Sequence, residues 1–396
     1  MTPRTMRLLA PLLLLLAAAG PAAAQHSHGS APEAFTATPA FGPDGTLFVV
    51  RAEGSKVLLV RSSDLGKTFS APMSLTPAPV DGDWGPDSRP QLAVTPQGRI
   101  VATWAIFQDK RFNGRVFFTS SSDGGATFTA PRPITPDATS QRFQSVAVNS
   151  DGKVFAAWLD KRNVAAATKA GRPYAGAALA FAWSDGNTAS FGETRIAVDN
   201  ACECCRLGLA FAAPGNPAVI FRNIFPGSMR DHAVITFGNA DKPGPVRRVS
   251  NDNWKTEACP HHGPSLAIAP DGSYHAAWFT QGSARQGLFY ARADNADGVF
   301  SPPRALGQPN RQPARPYVLS AGNAIHLVWK EFDGTKAQVR WQVSRDSGKS
   351  FTAVRTVAET ADASDHPLLV AKGTIAYLSW LTKLEGYRLI ALEETP

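Results

Sequence analysis

The sequence predicts an all-β chain: a single β-propeller of four-stranded blades, seven of them with six as the alternative, closed by an N-terminal strand. Three observations predict it. A short apolar stretch, a Gly or Asp-Gly turn and an apolar run ending in an aromatic recur together. RPQLAVTPQGRIVATW ends at Trp104 and GPSLAIAPDGSYHAAW at Trp278. A second phrase recurs between copies of the first, as in Ser121-Ser122-Asp123-Gly124-Gly125-Ala126-Thr127-Phe128. No helical periodicity of useful length appears.

The chain opens on a targeting signal. Arg4 and Arg7 precede the apolar run Leu8 to Ala19, and Ala22-Ala23-Ala24 offers small residues for cleavage. This is the pattern of a secretory signal peptide over residues 1–24, too short to span a bilayer. It predicts a periplasmic or secreted protein. Residues 25–34 read as a flexible tail in which His26 and His28 could hold Cu(II) beside a free amine. Residues 35–396 form the propeller domain.

Composition narrows the class. In 396 residues, 43% are hydrophobic and 18% charged, which excludes a disordered chain. Forty Lys and Arg against 32 Asp and Glu give a net charge of +8. These charges are scattered, so nucleic acid is not an expected partner. No later run is long enough for a membrane span, and a monomer is expected.

The repeats begin near residues 37, 90, 144, 207, 264, 316 and 367. The turn residue and the aromatic are six apart in Gly98/Trp104, Gly152/Trp158, Gly215/Phe221, Gly272/Trp278 and Asn323/Trp329. Gly373/Trp380 is one longer, and Arg51 replaces the aromatic after Gly45. The second phrase fits a hairpin tip: Asp and Ser/Thr satisfy turn amides, and Gly takes the left-handed position. Good copies run Ser62–Phe69, Ser121–Phe128 and Ser344–Phe351; worn copies run Ser184–Phe191 and Asp294–Phe300. The last unit shows three strands, and Ser30–Thr36 resembles the fourth strand of other units, so it is expected to close the ring.

In such a ring the residue before each repeat start faces a common funnel. These residues are Thr36, Arg89, Phe143, Arg206, Gly263, Arg315 and His366. Three arginines and a histidine together suit an anion or carboxylate. The alternative is pairing of each Arg with a neighbouring Asp, such as Arg89 with Asp87. The loop Asp81–Arg89 adds Trp84 for stacking on a ring, and Asp87 as a candidate general acid. Arg222, Arg230 and Asp231 lie near the same face.

All four cysteines fall in two loops that precede adjacent units. Cys202, Cys204 and Cys205 lie in one; Cys259, followed by His261 and His262, lies in the other. Thiolates and imidazoles in this number suit a soft metal, copper or zinc. An exported protein also allows a disulfide from Cys204 or Cys205 to Cys259, or a redox-active vicinal pair.

The second phrase matches the Asp-box, S-x-D-x-G-x-T-[FW], so the chain resembles the sialidase-superfamily (BNR/Asp-box) propellers. CECC, then Trp254 to Cys259-Pro260, Gly263-Pro264 and Ala277-Trp278-Phe279-Thr280, resemble a bacterial group labelled "sialidase family protein". The resemblance implies Asp-boxes on the rim opposite the site. It also implies three arginines on a sialic carboxylate, a Tyr/Glu nucleophile pair and an Asp acid. The family's first arginine lies in [FY]-R-I-P; here the stretch is Thr36-Ala37-Thr38-Pro39. Arg89, Arg206 and Arg315 would replace the triad, Tyr317 with Glu257 or Glu203 the nucleophile pair, and Asp87 the acid. Three functions follow: a propeller whose channel mouth binds a ligand or soft metal through Cys, His and Arg; a sialidase-type hydrolase of anionic sugars; or an interaction scaffold with disulfide-pinned loops.

Overall fold

The computed structural model describes residues 35–85, 87–212, 215–238, 242–257 and 260–393. The signal peptide, His26, His28, the closing residues 30–34 and Cys259 lie outside them.

The fold is a β-propeller of antiparallel sheets. Strands Thr36–Phe41, Leu47–Glu53, Lys56–Ser62 and Met73–Ser74 make the first sheet, in chain order. Gln91–Val94 opens the second sheet, Ser265–Ile268 and Ala314–Ala321 open two later four-stranded sheets, and Leu368–Lys372 opens the last. The last has three strands among the described residues. Between the second and these lies a nine-stranded sheet, holding the strands that begin at Gln141–Val148 and Gly208–Ala212. Its two halves are joined by one pairing, Ala201 opposite Asn223. The opening strands pack side by side in order, and Leu368–Lys372 returns to Thr36–Phe41. Short, neighbour-covered edges are what such an arrangement leaves.

The repeated aromatic explains the packing. Trp104, Trp158, Trp278, Trp329 and Trp380 are all buried between sheets. The indole N–H of Trp158 donates to Asp160 at 3.0 Å, of Trp278 to Asp252 at 2.7 Å and of Trp329 to Glu331 at 2.8 Å. A buried indole needs that partner, and truncating such a side chain costs about 3–5 kcal/mol.

The hairpin tips form as the sequence requires. Ser62 donates to Asp64 at 2.7 Å, Gly66 N to Ser62 at 2.8 Å, and Thr68 gives Asp64 its amide at 2.9 Å and its hydroxyl at 2.7 Å. Ser121–Phe128 and Ser344–Phe351 repeat the set. Leu65 and Gly66 both have left-handed φ, 60° and 80°. Asp185 does the same work in its worn copy. In the copy at Asp294, Asn295 takes over the turn and Asp294 pairs with Arg292.

One helix departs from the sequence reading. Arg162–Lys169 forms an eight-residue helix after the strand Val154–Asp160. It buries only Ala167, so it carries too narrow an apolar face to register as a helical period.

Candidate functional site

The opening strands surround a cavity of about 130 Å³ lined by Asp87, Arg89, Gln144, Arg206, Ser265 and Tyr317, among others. Arg89 does not pair with Asp87. It grips Asp365 with two bonds, 2.9 and 2.6 Å, both side chains buried. Asp365 also accepts the amides of Ala37 at 3.0 Å and His366 at 2.6 Å. Asp87 instead accepts from Arg315 at 2.6 Å and Gly263 N at 3.2 Å, with Arg206 at 3.8 Å. Three guanidinium groups thus face two carboxylates.

Arg206 is the least compensated. It donates to His366 Nδ1 at 3.0 Å and to the carbonyls of Pro316 at 2.9 Å and Pro264 at 3.3 Å. Burial, followed by Arg315, Arg206 and Arg89, holds the His366 pKa well below 6.5. His366 is therefore neutral, and its Nδ1 accepts. Gly263 makes room for Arg206: a Cβ there would lie 2.0 Å from Arg206 Cγ.

Two of the residues expected at the funnel have left-handed backbone. Arg315 and Phe143 have φ of 58° and 56°. The register slips between Ala314 and Tyr317, and between Ala157 and Leu159 opposite Phe143. A bulge of this kind re-aims a side chain at the start of a strand.

The hydrolase residues do not assemble. Burial raises the Asp87 pKa, but Arg315, Arg206 and the Gly263 amide outweigh it and hold the carboxyl below 3.8. A carboxylate held ionised is a poor general acid at neutral pH. Burial raises the Tyr317 pKa, against Arg206 and Arg89, so the phenol keeps its proton. Glu203 pairs with Lys161 at 2.8 Å, and Glu257 is 82% exposed. Neither lines the cavity with Tyr317; Asp87 is its one carboxylate among the described residues. Trp84 is not in its wall either: it packs on the first two sheets and donates to Gly54 O at 3.0 Å.

The cysteine loop lies between the strands Arg195–Ala201 and Gly208–Ala212. Cys202 N donates to Arg222 O at 2.8 Å, fixing the loop to the next strand. Cys202, Cys204 and Cys205 are buried, with their sulfurs within 4.8 Å of one another. The Cys202 and Cys204 sulfurs are 3.6 Å apart. Arg230 donates to Cys202 Sγ at 3.3 Å. The Cys204 and Cys205 thiols, then Arg222 and Arg230, draw Cys202 toward thiolate against burial; its hydrogen bond pushes Cys205 up.

His261 and His262 do not join this cluster. His262 stacks on Phe279 at 4.1 Å, and burial, with Arg315 beside it, pushes its pKa to about 3. Its carbonyl accepts from Arg222 at 3.1 Å, and that of His261 from Arg315. The backbone of this loop, rather than its imidazoles, holds the arginines.

Sequence reasoning missed Asp365 and Gln144 as parts of the channel. Asp365 was within reach, since it directly precedes His366. Arg222 and Arg230, placed only loosely, prove to stand beside the thiols.

A scan against protein-family models finds no match, and neither does a sequence search of curated proteins. Solved structures do match in fold. An ulvan lyase of polysaccharide lyase family PL25, bound to a GlcA(1-4)Rha3S unit, aligns with a TM-score of 0.57 at 10% identity, over 91% of this chain and 94% of that one. A Hadza microbial sialidase aligns at 0.50 and 14% identity, over 91% of this chain and 66% of that one. The intramolecular trans-sialidase from Ruminococcus gnavus aligns at 0.50 and 10% identity, over 76% and 90%. These are glycan-acting proteins with the same fold. Among the described residues, no helix is long and apolar enough to cross a membrane.

Proposed function

We propose that this is an exported propeller that binds the acidic group of an anionic sugar in its central channel without cleaving it. Arg206 carries the reading. It lies in the cavity wall, donates to a neutral imidazole and two carbonyls, and among the described residues has no carboxylate closer than 3.8 Å. Three arginines and Lys330 against Asp87 and Asp365 leave positive charge in excess for a ligand anion to offset, and a guanidinium fork suits a carboxylate or sulfate. Gln144 Oε1, buried without a partner, and the protonated Tyr317 phenol add polar groups to the same wall.

Ordinary ligand pockets start near about 300 Å³. A cavity of about 130 Å³ suits the acidic group alone, with the sugar ring at the mouth. The single lining carboxylate, held ionised, favours binding over hydrolysis. Residues 1–24 supply the export signal.

Isothermal titration with N-acetylneuraminate, glucuronate and neutral galactose tests this. The two acids are expected to bind and galactose not, and Arg206→Met is expected to remove binding. Equal binding of galactose, or an unaffected Arg206→Met variant, would sink the reading. Turnover of a fluorogenic sialoside would replace it with the hydrolase.

A further inference from the structure

We infer that Cys202, Cys204 and Cys205 form a three-sulfur site for a monovalent soft metal ion, Cu(I), separate from the anion-binding channel. Three sulfurs from one four-residue stretch lie within 4.8 Å of one another, those of Cys202 and Cys204 at 3.6 Å. A metal–sulfur bond of about 2.3 Å sets sulfurs about 3.8–4.0 Å apart in tetrahedral or trigonal ligation, so the loop needs only small adjustments. All three side chains are buried, in a core cluster with Ala177, Leu179 and Phe221. An apolar shell of this kind protects soft ligation from water.

The charge around the sulfurs points to the ion. Arg222 is 1% exposed, and no carboxylate lies within ion-pair distance of it among the described residues. Its guanidinium stands 4.2 Å over Trp254 and donates to two carbonyls, leaving Nε without a partner. Arg230 donates to Cys202 Sγ, and its nearest carboxylate, on exposed Glu257, is 3.9 Å away. Buried cations without counter-charge are costly. Three thiolates bound to one monovalent cation carry two negative charges, which these two arginines neutralise. A divalent ion would leave an excess positive charge, and zinc would need a fourth ligand for its usual tetrahedron, where the described residues gather three. Thiolate softness selects Cu(I). On binding, three S–H bonds break, three S–Cu bonds form and three protons leave to solvent.

The test uses the reduced mature protein, anaerobic, titrated with Cu(I) alone against a chromophoric Cu(I) chelator. One equivalent is expected to be retained, and X-ray absorption should show a shell of sulfur only. Cys202→Ser and Cys205→Ser should lose the ion, while His262→Ala keeps it. Arg230→Met should weaken binding about tenfold or more at unchanged stoichiometry, as removal of an outer-shell partner does. Should a cysteine variant fail to fold, the absorption spectrum of the unaltered protein still decides. The site is refuted by loss of all copper to the chelator or by nitrogen in the metal shell. Preferential zinc retention that depends on Cys259 would also refute it. Titration of the copper-free protein with N-acetylneuraminate reads the channel independently, so either proposal can fail alone.

Discussion

Asp123 and Asp365 are both carboxylates held by several donors, but the donors come from different distances. Asp123 finds Ser121 and Thr127 within its own hairpin tip, and water surrounds the turn. Asp365 finds Arg89, 276 residues away, and both side chains are buried. The first arrangement recurs wherever the octapeptide recurs. The second exists once, because it depends on which strands the ring brings together. Repeated, local and exposed chemistry builds the scaffold here; unique, long-range and buried chemistry builds the channel.

The sharpest way to break this contrast is Asp365→Asn. It removes the carboxylate charge that buried Arg89 grips with two bonds, and removing one member of such a pair costs about 3–5 kcal/mol. Urea unfolding should show a large fall in midpoint at unchanged slope. A loss below about 1 kcal/mol, the level of an exposed ion pair, would mean that the channel is as solvated as the rim.

Acid separates the two regions by pH. Burial holds His366 and His232 well below 6.5. As pH falls through about 6.5, the unfolded chain takes up protons that these folded imidazoles refuse, so stability declines. The rim acts lower. Hydrogen bonds from Thr68 and Ser62 hold Asp64 near 2, against 3.8 when unfolded. Its contribution is complete above about pH 4 and fades as pH drops toward 2. Stability should therefore fall in two stages, and His232→Phe, which replaces an imidazole with neither ring nitrogen bonded, should flatten the upper one. A profile that stays level from pH 7 to 4 would contradict the assignment.

The smallest effect belongs to the rim. Asp123→Ala removes bonds made only inside Ser121–Phe128, so it should lower the melting temperature by a few degrees and leave anion binding unchanged. Combined with Asp64→Ala, it should add nearly independently, since the two tips share no partners. A large loss, or an effect on binding, would show that rim and channel are coupled.

The legible parts of the molecule are those whose physics is local. The spacing from turn residue to aromatic marks most second strands, and Ser-x-Asp-x-Gly-x-Thr/Ser marks each good tip, because every bond it makes closes within a few residues. The same register placed Arg89 and Arg206 in the channel wall, since the first residue of an inner strand has only the axis to face. The helix Arg162–Lys169 escaped because eight residues with one buried alanine leave no period to read.

Sequence by itself determined the all-β repeat and the hairpin tips, and it put Arg89 and Arg206 at the starts of inner strands. Tertiary structure alone decided who meets whom there. Asp87 went to Arg315, 228 residues on, while Asp365 took Arg89. The three cysteines gathered with Arg230 and without the two histidines. Spacing along a chain fixes which face a residue lies on; a buried charge takes its partner from whatever the closed ring carries to within about 3 Å, and that choice has no local record.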